Sequence, residues 1–265
     1  DFADRLFNQI KGFGGYGFPE SHSASFALLA YVSAWLKCHH PAAFYVGLLN
    51  SQPMGFYSPS QLIQDARRHH IMVLPVDVNH SSWDHQILSS ADQQQPPIRL
   101  GLRLIKGLSE AAGQRVQAAQ RLRPFANVAD LRQRACLDRG DMEALAAADA
   151  LSGISGNRYQ SHWQTMALED HRPLLPNEGA VRRSQDDAAI TAAPTLPEDV
   201  IADYQSTGLT LRSHPLSLLR QQPPFDRCQR QTELETLGNH RFVRVAGLVT
   251  CRQRPGTASG VVFLT

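Results

Sequence analysis

Apolar residues recur at helical spacing from the first positions of the chain. Phe2, Leu6 and Ile10 fall on one face and predict an amphipathic helix. From Ser21 the apolar pattern closes round: Ala24, Phe26, Leu28, Leu29, Tyr31, Val32, Trp35 and Leu36 leave almost no polar face, which predicts a buried helix. Pro41 opens another helix through Leu49, because proline suits a first helical turn. Ser58-Pro59 repeats that start signal for Gln61 to His69. The period then changes. IMVLPVDV (71–78) reads as a strand, and DHQILSS and IRLGLRL, separated by the polar ADQQQPP, read as a hairpin. Helices are predicted at 109–122, 127–135, 140–148 and 156–168, followed by an aperiodic linker at 170–197. Short helices at 197–206 and 215–221 lead to two β-rich runs, 242–251 and 260–265, joined by a Pro-Gly turn. The expected fold class is mainly α with small β elements.

Composition narrows the picture. A chain of 265 residues, 42% hydrophobic, has room for one large domain or two to three small ones and enough apolar mass for a core. No apolar run is long enough for a membrane span, and the start lacks a signal-peptide pattern. The four cysteines (Cys38, Cys136, Cys228, Cys251) form no C-x-x-C, so reduced thiols and a cytoplasmic setting are expected. The start in a helix without an initiator Met, and the end in GVVFLT, make a piece of a longer protein the expectation. Net charge is only +2, but its distribution is uneven. Between Arg99 and Arg139 nine basic residues (Arg99, Arg103, Lys106, Arg115, Arg121, Arg123, Arg132, Arg134, Arg139) face three acidic ones, leaving the remainder of the chain at −4. A basic segment in a near-neutral chain is the footprint of a polyanion partner, or else a solvated helix face.

Two glycine motifs carry the candidate chemistry. GFGGYG (12–17) spells G-x-G-x-x-G, yet the residues before it are helix-patterned and polar. A dinucleotide fingerprint must instead follow a buried strand. With Pro19 and the capping serines Ser21 or Ser23 behind it, the segment reads as a glycine loop leading into a helix N-terminus, whose amides favour phosphate. A simple hinge between two helices is the bland alternative. LRLIKGLSEAAGQRV (102–116) has the form of a helix-hairpin-helix turn. Such a turn offers backbone amides to a DNA phosphate while neighbouring cations neutralise it. An ordinary αα turn is the alternative here. The histidines His39, His40, His69, His70, His80 and His85, with Asp77 and Asp84, show no metal-ligand spacing. No two aspartates stand two apart, so the D-x-D arrangement that carries metal ions in nucleotidyl transfer is missing.

Taken together, GYGFPESHSASFALLAYVSAWLKCHHPAAFYVGLLNS (15–51) resembles the fingers of the bacterial DNA polymerase III α-subunit family. The likeness continues through VLPVDVNHS (73–81), GLRLIKGLSE (101–110), MEALAAADALSGISGNR (142–158) and YQSTGLTLRSHPLSLLR (204–220). Pro19-Glu20, where replicative members carry Asn-Lys, and the run at 50–69 are similar to the error-prone, translesion branch. The resemblance implies the end of the fingers at 1–90, a helix-hairpin-helix DNA-binding domain at 91–169, a linker at 170–197, pre-barrel helices at 198–239 and the start of an OB-fold at 240–265.

It further implies nucleotide contacts at Gly14, Gly15, Tyr16, Ser21, His22 and Ser23, and DNA contacts at Arg103, Lys106, Gly107, Leu108, Ser109 and Arg115. The implied partners are primer-template duplex, single-stranded template and an incoming deoxynucleoside triphosphate, with a sliding clamp as a further candidate. Catalytic carboxylates and their Mg2+ ions would lie in a palm that this sequence does not contain, so no catalytic or metal residue is assigned. The rival readings are a piece of a replicative polymerase III α-subunit and a non-catalytic scaffold that docks DNA or protein; YQSHWQTMAL (159–168) has poor spacing for a clamp-binding peptide.

Overall fold

The computed structural model of the chain describes residues 2–16, 20–55, 57–88, 95–168, 192–254 and 260–264, without the side chains of 12–16, 20 and 21. Helices α1 (Phe2–Tyr16) and α2 (Glu20–His39) precede α3 (Pro41–Asn50) and α4 (Pro59–Arg68). Two expectations change here. The glycines at 12, 14 and 15 continue α1 and do not form an open loop. Once a helix is nucleated each added residue closes one hydrogen bond, and glycine's wide dihedral range includes the helical well. Gly17 and Pro19 lie outside the described residues. Because α2 starts at Glu20, Ser21 and Ser23 stand inside its first turn and do not cap it.

The second correction concerns burial. Helix α2 was expected to be buried, yet Phe26, Leu28, Leu29, Tyr31 and Trp35 are exposed. A helix that is apolar all round needs partners on several sides, and among the described residues its packing is against α3, at its C-terminal end. There Leu36 and Lys37 are half-buried.

A small sheet follows. Strand β1 (Val73–Leu74) pairs parallel to β3 (Ile98–Arg99), and β2 (Gln86–Ile87) pairs antiparallel to β3 on its other side. The expected hairpin is present in register Gln86↔Arg99 and Ile87↔Ile98, while the expected strand at 71–78 shrinks to two residues. Residues 89–94 of its connection lie outside the described set. Beyond β3 come α5 (Glu110–Leu122), α6 (Val128–Arg134), α7 (Arg139–Ala147), α8 (Ser152–Ser155) and α9 (Arg158–Met166). The single helix expected at 156–168 is thus preceded by a separate short turn of helix, with Gly156 at φ +102 marking the break.

Side-chain caps explain these boundaries: Ser58, Ser109, Asn127, Asp138 and Asn157 each accept from the backbone amide three residues on.

One apolar cluster runs from α3 and α4 (Tyr45, Leu49, Leu62) through β3 to α5, α6 and α7 (Val116, Leu131, Leu145), and takes in Leu151 and Leu209. The core is therefore continuous across residue 90. Two asparagines stitch its loops. Asn50 donates to the His85 carbonyl and accepts from its amide, and Asn79 does the same for Phe125.

After the linker, whose residues 169–191 are not described, come α10 (Leu196–Ser206), α11 (Pro215–Leu219) and α12 (Gln231–Leu234). Helix α10 contacts α7. The run 242–251 was expected to be a strand and is not one; among the described residues of this region β4 (Arg252–Gln253) and β5 (Phe263–Leu264) pair, antiparallel. A strand persists through a ladder of neighbours, and here the Gln229 amide donates to the Arg244 carbonyl at 2.8 Å while the Arg244 amide donates to the Gln229 side chain, a single paired position and not a ladder. The Pro-Gly turn at 255–256 falls outside the described residues.

Candidate nucleic-acid interface

The hairpin turn is built by alternating anchors. Ile105 and Leu108 are buried in the core, which turns Lys106, Gly107 and Ser109 outward. A 3-10 turn at Leu102–Leu104 leads in, where a strand-like approach was expected. Gly107 takes φ +86, the left-handed region open to glycine without strain. An added Cβ would meet nothing nearer than Ala144 Cβ at 3.9 Å, so the glycine is required by dihedral and not by crowding. Ser109 then caps α5, accepting from Ala112 N at 3.2 Å. Among the described residues the amides of Gly107, Ser109, Glu110 and Ala111 donate to no backbone carbonyl. They form the positive end of a helix facing solvent.

Helix α5 is seated by close contact. Its Gly113 lies against the Trp83 indole, where a Cβ would come within 2.7 Å of Cζ3. Gly101 lies equally close to the backbone of Asp84, and its amide donates to His85 Nδ1 at 3.1 Å. Burial pushes the His85 imidazole down to about 4, with the Arg103 charge adding to the effect, so this ring is a neutral acceptor for the Gly101 amide.

The basic segment turns out to be largely engaged with the chain itself. Arg103 bridges Asp84 at 2.7 Å and donates to the Asn50 carbonyl. Arg115 donates to the Ala135 carbonyl at 2.9 Å and reaches Asp141 at 3.3 Å. Arg123 and Arg134 share Asp130, Arg139 pairs with Glu143, and Arg99 and Arg132 donate to the Pro75 and Leu168 carbonyls. Lys106 donates through Nζ to the Tyr204 and Gln205 carbonyls, both at 3.0 Å. A contact with a neutral carbonyl holds the side chain without cancelling its charge, as at Lys106.

The other predicted segment is less assembled. Gly14, Gly15 and Tyr16 end α1, and Ser21, His22 and Ser23 begin α2, with residues 17–19 between them not described. His22 meets Phe26 edge-on at 4.4 Å, one turn along the same helix.

Comparison with known proteins is decisive at this point. A family model described as a helix-hairpin-helix motif matches residues 70–161. The whole chain is 58% identical to the error-prone DNA polymerase of Saccharophagus degradans, 57% to that of Teredinibacter turnerae and 51% to that of Pseudomonas aeruginosa. The chain belongs to the bacterial error-prone DNA polymerase family. It spans 25–26% of the length of these relatives.

Within this error-prone polymerase segment, two polar networks escaped the sequence reading. In the first, Asp65 of α4 accepts from Lys37 Nζ and the Tyr45 hydroxyl, both at 2.6 Å. The Lys37 hydrogen bond, then that of Tyr45, holds the Asp65 carboxyl below its usual range; burial and the same carboxylate push the Tyr45 phenol up. Lys37 and Tyr45 of the family-like stretch thus tie α2 and α3 to α4. In the second, buried Arg158 reaches Asp199, and Asp203 at 2.5 Å. Arg212 holds both oxygens of Asp203 and one of Asp149, each at 2.7 Å. The contacts between the segments before and after the linker are 41 to 63 residues apart along the chain and gave no local signal.

The candidate metal residues stay apart: His80 bonds Asp77 and His69 bonds Asp65, and among the described residues no group of three His, Cys, Asp or Glu could hold a metal ion. The residues present therefore do not fit the Mg2+ centre that the resemblance implies. Among the described residues no helix is long and apolar enough to cross a membrane.

Proposed function

We propose that this chain is the DNA-gripping and nucleotide-positioning part of a cytoplasmic, error-prone DNA-directed DNA polymerase acting in translesion synthesis. Residues 91–169 grip primer-template duplex. The observation that carries this is the outward turn Lys106–Ser109, with Gly107 in the left-handed region and open amides at the α5 N-terminus, inside the helix-hairpin-helix match. In that role the amides of Gly107 and Ser109 hold a backbone phosphate, Leu108 anchors the turn in the core, and Lys106, Arg103 and Arg115 supply attraction without reading sequence. Residues 1–90 serve as the end of the fingers, with Gly14, Gly15, Tyr16, Ser21, His22 and Ser23 near the incoming triphosphate. Residues 198–239 form the pre-barrel helices, and residues 240–265 begin an OB-fold that handles single-stranded template. These ranges name roles along the chain; the core itself crosses residue 90. No nucleotidyl-transfer step is assigned to a residue of this chain.

Fluorescence anisotropy with a labelled duplex, titrated over salt, tests the grip. The chain is expected to bind duplexes of unrelated sequence alike, with a steep fall of log K against log salt. Lys106→Glu is expected to weaken all of them about equally and to reduce the slope by about 1. Binding that ignores salt, or a Lys106→Glu variant indistinguishable from wild type, would remove the hairpin from the interface.

A further inference from the structure

The contacts of Lys106 join the hairpin turn to α10, nearly a hundred residues away. Its amide donates to the Ser206 carbonyl at 2.9 Å, and its ammonium to those of Tyr204 and Gln205. The remaining carbonyls of the last turn are also answered. The Ser206 hydroxyl donates to the Ala202 carbonyl, the Thr207 hydroxyl and amide to that of Asp203, and the Gly208 amide to that of Tyr204. The C-terminus of α10, where carbonyl dipoles gather negative potential, is therefore seated on the turn.

What holds α10 there is the second polar network. Asp199 and Asp203 project from the middle of α10 onto Arg158 of α9 and onto Arg212, and Arg212 reaches on to Asp149 after α7. Val200 on the same helix is buried. Thr210 donates to Asp203 at 2.6 Å and closes the cluster. Both arginines thus tie the segment after the linker to helices before it.

An ammonium has three donors, and the α10 carbonyls take two. Because those acceptors are neutral, the full charge and one N–H remain, on a side chain already fixed in place. Ordering a flexible lysine before binding reduces the entropy lost when a phosphate arrives. We infer that α10, clamped by Arg158 and Arg212 through Asp199 and Asp203, is a positioning element that pre-orients Lys106 for a DNA phosphate at the hairpin turn. This rests on the DNA-gripping role proposed above. It adds that the grip depends on residues far from the turn, on the opposite side of the linker.

A double-mutant cycle in the full 265-residue chain tests it, with anisotropy on duplex DNA over a salt series and circular dichroism melts on every variant. Arg212→Gln is expected to weaken binding about 5- to 10-fold with an unchanged salt slope, since no phosphate contact is lost. Arg212→Lys is expected to recover part of that loss. Lys106→Met is expected to lower the slope by about 1. In the Lys106→Met background, Arg212→Gln is expected to have no further effect. Additive losses, or a full-slope Lys106→Met variant whose only change is a lower melting temperature, would make Lys106 a mere cap of α10 and overturn the inference. If Arg212→Gln fails to fold, Asp149→Asn, which removes a single outer contact of the clasp, takes its place with the same expected coupling. Absence of salt-dependent duplex binding by the wild-type chain would instead sink the DNA-gripping role, and the inference with it.

Discussion

Helices α2 and α7 make an instructive pair. Both are rich in apolar residues, yet α7 sinks Met142, Leu145 and Ala146 into the core while α2 presents Phe26, Leu28, Leu29 and Tyr31 to solvent. The difference lies in what each helix meets. Helix α7 is amphipathic and packs chiefly on α9, with α10 behind. Helix α2 is apolar on all sides and is held at one end, by Lys37 on Asp65 and by α3. An apolar pattern states that a surface seeks burial; it does not state which surface will cover it.

The sharpest way to break that comparison is to truncate the same residue type in both helices. Leu145→Ala, at a position with no exposure, is expected to cost about 2–5 kcal/mol in denaturant unfolding. Leu29→Ala, 61% exposed, is expected to change stability by less than about 0.5 kcal/mol. A comparable loss at Leu29 would mean that α2 is covered within this chain.

Next in size is the effect of pH on the core beneath the hairpin. His85 stays neutral in the folded protein down to about pH 4, whereas the unfolded chain takes up its proton near 6.5. Between those values the unfolded state binds more protons, so stability falls as pH drops through 6.5 and levels off below about 4. The full contribution is about 3 kcal/mol. Denaturant unfolding of wild type against His85→Gln across pH 7 to 4 reads it, since subtracting the variant removes the carboxylates common to both. Parallel pH profiles would remove His85 from the account.

A smaller effect, about 1–3 kcal/mol, is expected for Gly113→Ala, because the new methyl group meets Trp83 in a packed seat. Tryptophan fluorescence is expected to shift with it, and an unchanged spectrum and stability would show that α5 can slide to make room. Smallest is Lys37→Met. The Lys37–Asp65 pair is about one-third exposed on each side, so its loss is expected to cost at most about 1 kcal/mol. A larger cost would indicate that this one contact carries the attachment of α2.

Much of the candidate interface was legible from local spelling. The spelling around Ile105, Lys106 and Gly107 announces a hairpin turn before a helix, whereas the left-handed dihedral of Gly107 and the cap supplied by Ser109 emerged only with the structure. The helices expected at 41–49, 61–69, 109–122 and 127–135 are present, the first two opened by the proline signals at Pro41 and Ser58-Pro59. The basic excess was legible as charge but not as availability. That Arg115 holds the Ala135 carbonyl, or Lys106 the end of α10, depends on which backbone comes alongside.

What the sequence determined by itself, then, is everything set by neighbours a few residues apart: helix starts, turn positions, helix periods and the run of residues shared with error-prone DNA polymerases. These depend on short-range sterics and hydrogen bonds that a linear reading contains. Only the tertiary structure decided that GFGGY completes α1, that α2 lies exposed and that 242–251 forms no strand. It alone brought Arg158 and Arg212 onto the aspartates of α10. Burial, strand pairing and ion pairing require a partner, and chain distance does not say which partner folding will deliver.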